Sequence, residues 1–263
     1  MRLENKVAIV VGGGQQPGGT PGNGRAVAIR FAQEGAVVMI VDINESWAAD
    51  TFAEIAAQGG AGSVLVANIT DEADCREIAK TCVEEHGRID ILHNNVGRSR
   101  GDKETPDLDA AMWDEIMDMN LKGMFMTCKH VLPIMRDQGS GAIINISSTS
   151  SYAARQTLTY KTSKGAINTM TQHMSFENAP YGIRVNAILP GLMDTPMAIE
   201  RRAQERGVER SVIRAERDAQ VPMGNMGTAW DVANAAVFLA SEEAAYITGA
   251  LLPVDGGLLV KRG

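Results

Sequence analysis

Three observations predict an α/β chain built on a doubly wound parallel sheet of about seven strands, with helices on both faces. Short apolar runs alternate with longer helix-period segments from end to end. The runs read as strands buried on both faces, and the residues just beyond several of them are Gly, Asn, Asp and Ser. The expected strands are Val7–Val11, Val37–Val41, Ser63–Val66, Ile89–His93, Ala142–Ser147, Arg184–Leu189 and Leu251–Val254. Helical periodicity falls at about 24–34, 45–58, 71–86, 108–136, 157–178 and 229–240. No linker, repeat or low-complexity tract divides the 263 residues, so one domain over 1–263 is expected.

Composition narrows the function. With 44% hydrophobic and 22% charged residues, disorder and collagen are excluded. The net charge is −7 and no basic run exceeds two residues, which argues against nucleic acid as the main ligand. No apolar stretch approaches the roughly 20 residues that cross a bilayer, and MRLENKVAIV does not read as a signal peptide. Cys75, Cys82 and Cys128 form no CxxC, and the four histidines show no metal-ligand spacing. A reducing cytoplasm and no metal chemistry are expected, with Cys75 and Cys82 packed as small hydrophobes on one helix face.

Doubly wound sheets bind ligands beyond the carboxyl ends of their strands. After the first strand comes GGGQQPGGTPGNGRA, with seven glycines from Gly12 to Gly24. Glycines let backbone amides approach a pyrophosphate, and the next helix N-terminus adds positive dipole. Strict GxGxxG is absent. A GxxxxGK[ST] phosphate loop is nearly matched from Gly19, but Arg25-Ala26 replaces the Lys and hydroxyl it needs. Eighteen residues beyond Gly24, Asp42 ends the second strand, near the spacing at which an acid meets the adenosine ribose hydroxyls. A carboxylate there repels a 2′-phosphate, so NAD is expected over NADP.

Tyr160 and Lys164 stand four apart in YKTSK and share a helix face. A nearby ammonium favours phenolate, lowering a tyrosine pKa that is otherwise near 10 and suiting Tyr160 to general acid/base work. INISS, before it, adds hydroxyls for a substrate oxygen.

With those pieces the sequence resembles the short-chain dehydrogenase/reductase family over essentially its whole length. The matching motifs, in family order, are GNGRA, NNVG at Asn94–Gly97, Asn120 in MNLKG, INISS, YKTSK, PGLMDTP at Pro190–Pro196, and VDGG. The resemblance implies a Rossmann sheet and hydride transfer between nicotinamide and an alcohol or carbonyl carbon. Tyr160 would exchange the proton with the substrate oxygen. Lys164 would hold the nicotinamide ribose and keep Tyr160 acidic, while Asn120 would support a water relay to Lys164. Gly12, Gly22, Asn23 and Gly24 would cradle the pyrophosphate. Asn94 would back the adenosine ribose side, and Thr195 with the Met193 backbone would hold the carboxamide.

Three departures stand out. Val11 replaces the family's usual Thr, and Gly12 to Gly22 spans six residues more than usual. Gly18–Gly24 offers an alternative register; Gly12 is kept as first glycine because the strand ends at Val11. The inserted QQPGGT is a flap over the pyrophosphate or, the favoured reading, a surface bulge. Asn68 stands where the family often has an Asp that meets the adenine amine; its amide oxygen would accept that bond, with Ile69 adding a backbone amide. Ser148 keeps the family's motif position but lies twelve residues before Tyr160, while Ser147 keeps the thirteen-residue spacing. Ser148 is preferred, since shortening a loop is easier than moving a strand end.

Met112, Met117, Met119, Met124, Met126 and Met135 read by their helical spacing as core filler; the resemblance implies instead that this helix and the Tyr160–Lys164 helix pair across a two-fold axis as a dimer seam, which is the preferred reading, within a homo-oligomer taken as a tetramer. The substrate-covering segment, 192–220, carries Arg201, Arg202, Arg206, Arg210, Arg214 and Arg217 among glutamates. The blander account is a solvated helix of paired charges. The sharper one brings Arg155, with Arg98 and Arg100, to an acidic substrate. The leading expectation is an NAD-dependent oxidoreductase for a secondary alcohol or its ketone. An NADPH-dependent carbonyl reductase, a non-catalytic dinucleotide sensor and an oligomer with a vestigial site are the alternatives.

Overall fold

The apolar runs do become buried strands, and their order brings the chemically distinctive residues to one edge. The structure is a computed structural model describing residues 1–153 and 157–261; Arg155 lies outside the described residues. The strands are β1 (Val7–Val11), β2 (Val37–Asp42), β3 (Gly62–Val66), β4 (Ile91–Asn94), β5 (Gly141–Ile146), β6 (Ile183–Pro190), two-residue β7 (Met193–Asp194) and β8 (Gly227–Thr228), and β9 (Leu251–Val254). Seven form one sheet in the order β3-β2-β1-β4-β5-β6-β9, and every neighbouring pair is parallel. This is the expected doubly wound architecture. The chain order reverses between β1 and β4, which places the switch-point crevice there.

The helices are α1 (Asn23–Gln33), α2 (Glu45–Ala57), α3 (Glu72–His86), α4 (Ala110–Met117), α5 (Gly123–Gln138), α6 (Leu158–Asn178), α7 (Glu200–Arg206), α8 (Arg210–Asp218) and α9 (Ala229–Ala240). Side chains alternate across a strand, so β1 feeds two cores. Ala8 and Val10 join α1, α2 and α9 on one face. Val7, Ile9 and Val11 join α3, α5 and Met174 of α6 on the other. A third, small core under the covering segment contains Leu192, Ile199, Ile213 and Met226.

The helix expected over 108–136 is not one α-helix. A π turn at Asp118–Lys122 separates α4 from α5 and carries buried Asn120. The methionines also depart from expectation: Met124, Met126 and Met135 are buried within the chain's own core. The apolar side chains that α5 and α6 leave exposed are Phe125 and Phe176, at 44% and 82%. Cys75, Cys82 and Cys128 are buried free thiols whose pKa burial pushes up to about 12, the behaviour of small apolar residues.

Candidate active site

The carboxyl ends of β1, β4, β5 and β6 open on a cavity of about 760 Å³, within the usual size of cofactor and ligand pockets. Its floor is the glycine loop. Gly12 has φ +75°, and a Cβ there would sit 2.8 Å from Val96 Cγ2. A Cβ on Gly24 would overlap the Gly12 carbonyl, so only glycine lets α1 start this close to β1. Gly22 begins α1 without a side-chain cap, and no acidic residue occupies the first turn. The first amides of α1 therefore face the cavity beside Gly22, Asn23 and Gly24, an arrangement that suits a phosphate.

The inserted residues are not a free bulge. Gln15 Oε1 accepts from Gly22 N at 2.5 Å, and its Nε2 donates to Thr20 O at 3.2 Å. Gly19 N donates to Glu200 Oε1 at 3.0 Å, and Thr20 Oγ1 donates to Asp194 Oδ1 at 3.4 Å. The insertion thus docks on the covering segment, while Gln15 and Gln16 line the cavity. A local sequence pattern does not reveal partners nearly two hundred positions away.

Asp42 lines the cavity at the end of β2. Its carboxylate accepts from Gly14 N and Asn44 N, each at 3.0 Å, and is held facing the crevice. Four other expected cofactor residues lie off the lining: Gly12, packed against Val96 and Asn95, and Asn68, Ile69 and Asn94. Asn68 Oδ1 already accepts from Thr70 N and Oγ1 at 3.1 and 2.8 Å, and Ile69 is buried. Asn94 turns into the sheet: its Nδ2 donates to Asn145 Oδ1 at 3.0 Å, and Thr127 Oγ1 donates to its Oδ1 at 2.8 Å. The next residue, Asn95, lines the cavity instead and donates Nδ2 to Gly12 O at 3.1 Å. Successive side chains leave a strand end on opposite faces, so a one-residue offset exchanges core for crevice.

Ser147, Ser148, Tyr160 and Lys164 share the cavity wall. The two serines differ in what they offer. Ser147 Oγ donates to Lys164 O at 2.9 Å and is buried. Ser148 Oγ accepts from Ser150 N and Oγ at 3.1 and 2.8 Å, so its own proton is directed elsewhere. Lys164 is 1% exposed, and its Nζ donates to Ile146 O at 2.7 Å and lies 5.6 Å from the Tyr160 ring centre. Burial pushes its pKa down to about 7. Asn120 stands across Gly97 from Lys164: a Cβ on Gly97 would be 3.0 Å from Lys164 Nζ and 3.6 Å from Asn120 Oδ1. Asn120 is held by Arg98 N and O at 2.8 and 3.0 Å and by Ser163 Oγ at 3.1 Å. The π turn aims it inward.

Two positioning residues carry no sequence signal. Thr157 gives α6 no side-chain cap; Asp102 supplies one from a distant loop, accepting from Thr159 N at 3.1 Å and Tyr160 N at 2.8 Å. Lys161 Nζ donates to the carbonyls of Ser150, Ser151 and Ala153 and ties down the loop after Ser148.

Met193 and Thr195 line the far wall, with Met193 fixed by the β7–β8 pairing to Gly227. Beyond them the arginines divide. Arg206 pairs with Glu216, Arg210 with Asp194 and Glu200, and Arg214 with Asp194. Arg201, which also pairs with Glu205 at 3.6 Å, lines the cavity with Arg202 and Arg217. Arg98 pairs with Glu115 at 2.6 Å, and neither it nor Arg100 reaches the lining. Among the described residues no cluster of His, Cys, Asp or Glu is placed to hold a metal, and no helix is long and apolar enough to cross a membrane.

Known proteins resemble this chain over nearly its whole length. A family model described as enoyl-(acyl carrier protein) reductase matches residues 19–259. The 3-oxoacyl-(acyl-carrier-protein) reductase FabG of Thermotoga maritima is 35% identical over 263 residues, covering 99% of this chain and 100% of that one. A crystal structure from Burkholderia xenovorans, described as a short-chain dehydrogenase/reductase, superposes with a TM-score of 0.94 at 39% identity over 100% of this chain and 99% of its own. A structure of NAD+-bound xylitol dehydrogenase superposes at 0.89 with 29% identity, covering 98% of this chain and all of that one.

Proposed function

Because this chain is an oxidoreductase of the short-chain dehydrogenase/reductase family, we propose that it interconverts a secondary alcohol and its ketone with NAD as partner. One observation carries the reading. A single cavity joins a glycine-lined, uncapped helix start to Ser148, Tyr160 and a buried Lys164. The glycine loop leaves the close approach a pyrophosphate needs, so the residues present fit a dinucleotide. Gly12, Gly22, Asn23 and Gly24 form its cradle, while Met193 and Thr195 hold the carboxamide end. Asp42 presents a carboxylate where a 2′-phosphate would sit, which supports NAD.

When bound, the dinucleotide supplies the hydride acceptor or donor. The chain's own residues handle the proton. Tyr160 exchanges it with the substrate oxygen, and the Ser148 hydroxyl orients that oxygen. Lys164 binds the ribose and, when charged, favours the Tyr160 phenolate. Asn120 supports proton passage towards Lys164. Two coarser features belong to the same reading. Phe125 and Phe176 support a homo-oligomer, taken as a tetramer; three free thiols suit a reducing cytoplasm.

The test is absorbance of reduced nicotinamide on a panel of secondary alcohols and ketones, with either cofactor, for wild type, Tyr160→Phe and Asp42→Ser. Expected are NAD-supported turnover, a loss of about 10²–10⁴-fold in Tyr160→Phe, and greater NADP use in Asp42→Ser. Wild-type preference for NADPH would make the chain the NADPH-dependent reductase. Dinucleotide binding with no turnover on any substrate would favour a sensor.

A further inference from the structure

The charge around the cavity is one-sided. Among the described residues of its lining, Asp42 is the sole carboxylate, whereas the covering segment contributes the guanidinium groups of Arg201, Arg202 and Arg217. Asp42 ends β2, and the covering segment leaves the sheet after β6. Those strands are four positions apart in the sheet order, or about 19 Å. The asymmetry opposes the chain's overall charge of −7.

The three remaining arginines of the segment are held by carboxylates that lie off the cavity lining. Arg210 and Arg214 flank the buried Asp194 at 3.0 and 3.1 Å, and Arg210 Nη2 also reaches Thr20 of the glycine-loop insertion at 3.3 Å. The cations nearest the phosphate end are therefore already matched by carboxylates. Arg206 is bound through both nitrogens to Glu216. Arg217 lies seven residues beyond Arg210 on α8, about 10 Å further along the helix. Its Nε meets Met226 Sδ at 3.2 Å, in the small core that contains the cavity-lining Leu192. Arg202 Nη1 donates to Ala198 O at 2.9 Å, holding its stem on α7. Arg201 Nε is buried without a hydrogen bond; its nearest carboxylate, Glu205, is 3.6 Å away and more than half exposed. A buried guanidinium N–H with no acceptor is a costly arrangement that an incoming anion relieves.

We propose that Arg201, Arg202 and Arg217 form an anion subsite of the substrate pocket, so that the substrate is an alcohol or ketone carrying a carboxylate or an equivalent anionic group. The anion would lie under α7 and α8 while the carbinol or carbonyl carbon lies at Ser148 and Tyr160. This rests on the oxidoreductase reading for the position of the reacting carbon.

The experiment is isothermal titration calorimetry of a homologous series of straight-chain keto acids and their methyl esters, against the protein with and without saturating NADH. The acid that binds best is expected to exceed its ester by at least about tenfold. That ratio should fall towards one in Arg201→Gln, Arg202→Gln and Arg217→Gln, and in about 1 M salt, where the screening length is about 3 Å. Arg206→Gln, on the same helix as Arg201 and Arg202 but off the cavity lining and paired with Glu216, should leave the ratio unchanged, and thermal melts confirm that each variant is folded. NADH affinity is titrated in parallel. A series with no acid-over-ester preference overturns the proposal. So does a loss of NADH affinity in the arginine variants as large as their loss of acid affinity, which would assign the arginines to the dinucleotide phosphates. Because calorimetry needs no turnover, acid preference without nicotinamide chemistry would overturn the oxidoreductase reading and leave the anion subsite standing.

Discussion

Lys164 carries an amine into a place with almost no water. It is 1% exposed, and its Nζ donates to the Ile146 carbonyl at 2.7 Å. Desolvation disfavours the ammonium, so its pKa falls from 10.5 to about 7. The unfolded chain keeps the proton up to about 10.5, and the folded chain releases it near 7. Between those values the unfolded state binds more protons, so stability rises with pH, by up to about 1.4 kcal/mol per pH unit. The cost is fully present below 7 and absent above 10.5. In denaturant melts without cofactor, the stability of wild type relative to Lys164→Met should therefore rise with that slope as the pH goes from about 7 to 10.5. A difference independent of pH would mean the amine titrates normally. At this scale the Tyr–Lys spacing and Asp42 were legible, because each follows from position along one helix or one strand. The direction of Asn94 was not, because it depends on Asn145 and Thr127 in other elements.

At the scale of elements, α6 needs help at its start. Thr157 makes no cap bond, and Asp102 accepts two amide hydrogens there, one from Tyr160 itself. A carboxylate at a helix N-terminus also interacts favourably with the dipole. Asp102→Ala should cost about 1–2 kcal/mol of stability, read as a lower denaturant midpoint. It should also lower kcat more than it raises KM for NAD, since the first turn of α6 carries the proton-transfer residue. Asp102→Asn, which keeps one acceptor oxygen, should recover part of both. An Asp102→Ala protein with lower stability but unchanged kcat would show the cap to be structural only. The insertion after Gly14 illustrates the same limit of local reading. Its glycines mark a loop, but its anchorage depends on Asp194 and Glu200.

Across the whole molecule, the sheet leaves α5 and α6 side by side on one face, with Phe125 and Phe176 exposed. Burying such aromatics is a common route to subunit association. Light scattering at micromolar protein should give a mass near four times 28.1 kDa, and Phe125→Glu with Phe176→Glu should reduce it while preserving the far-ultraviolet spectrum. A monomeric wild type would remove the seam. Met124, Met126 and Met135 of the methionine stripe serve this chain's own core, because a pattern of apolar residues records burial without saying whether the same chain or another provides it.

That distinction separates what was readable along the chain from what required coordinates. Strand and helix order, the parallel sheet, the glycine loop and the Tyr160–Lys164 face follow from periodicity and backbone chemistry, which are local properties. The cap from Asp102, the docking of Thr20 on Asp194, the choice between Asn94 and Asn95, and which of the six arginines face the cavity do not. Each is a choice of partner between segments far apart in sequence. Polar groups bond to whatever folding brings within about 3 Å, and no local pattern encodes that distance.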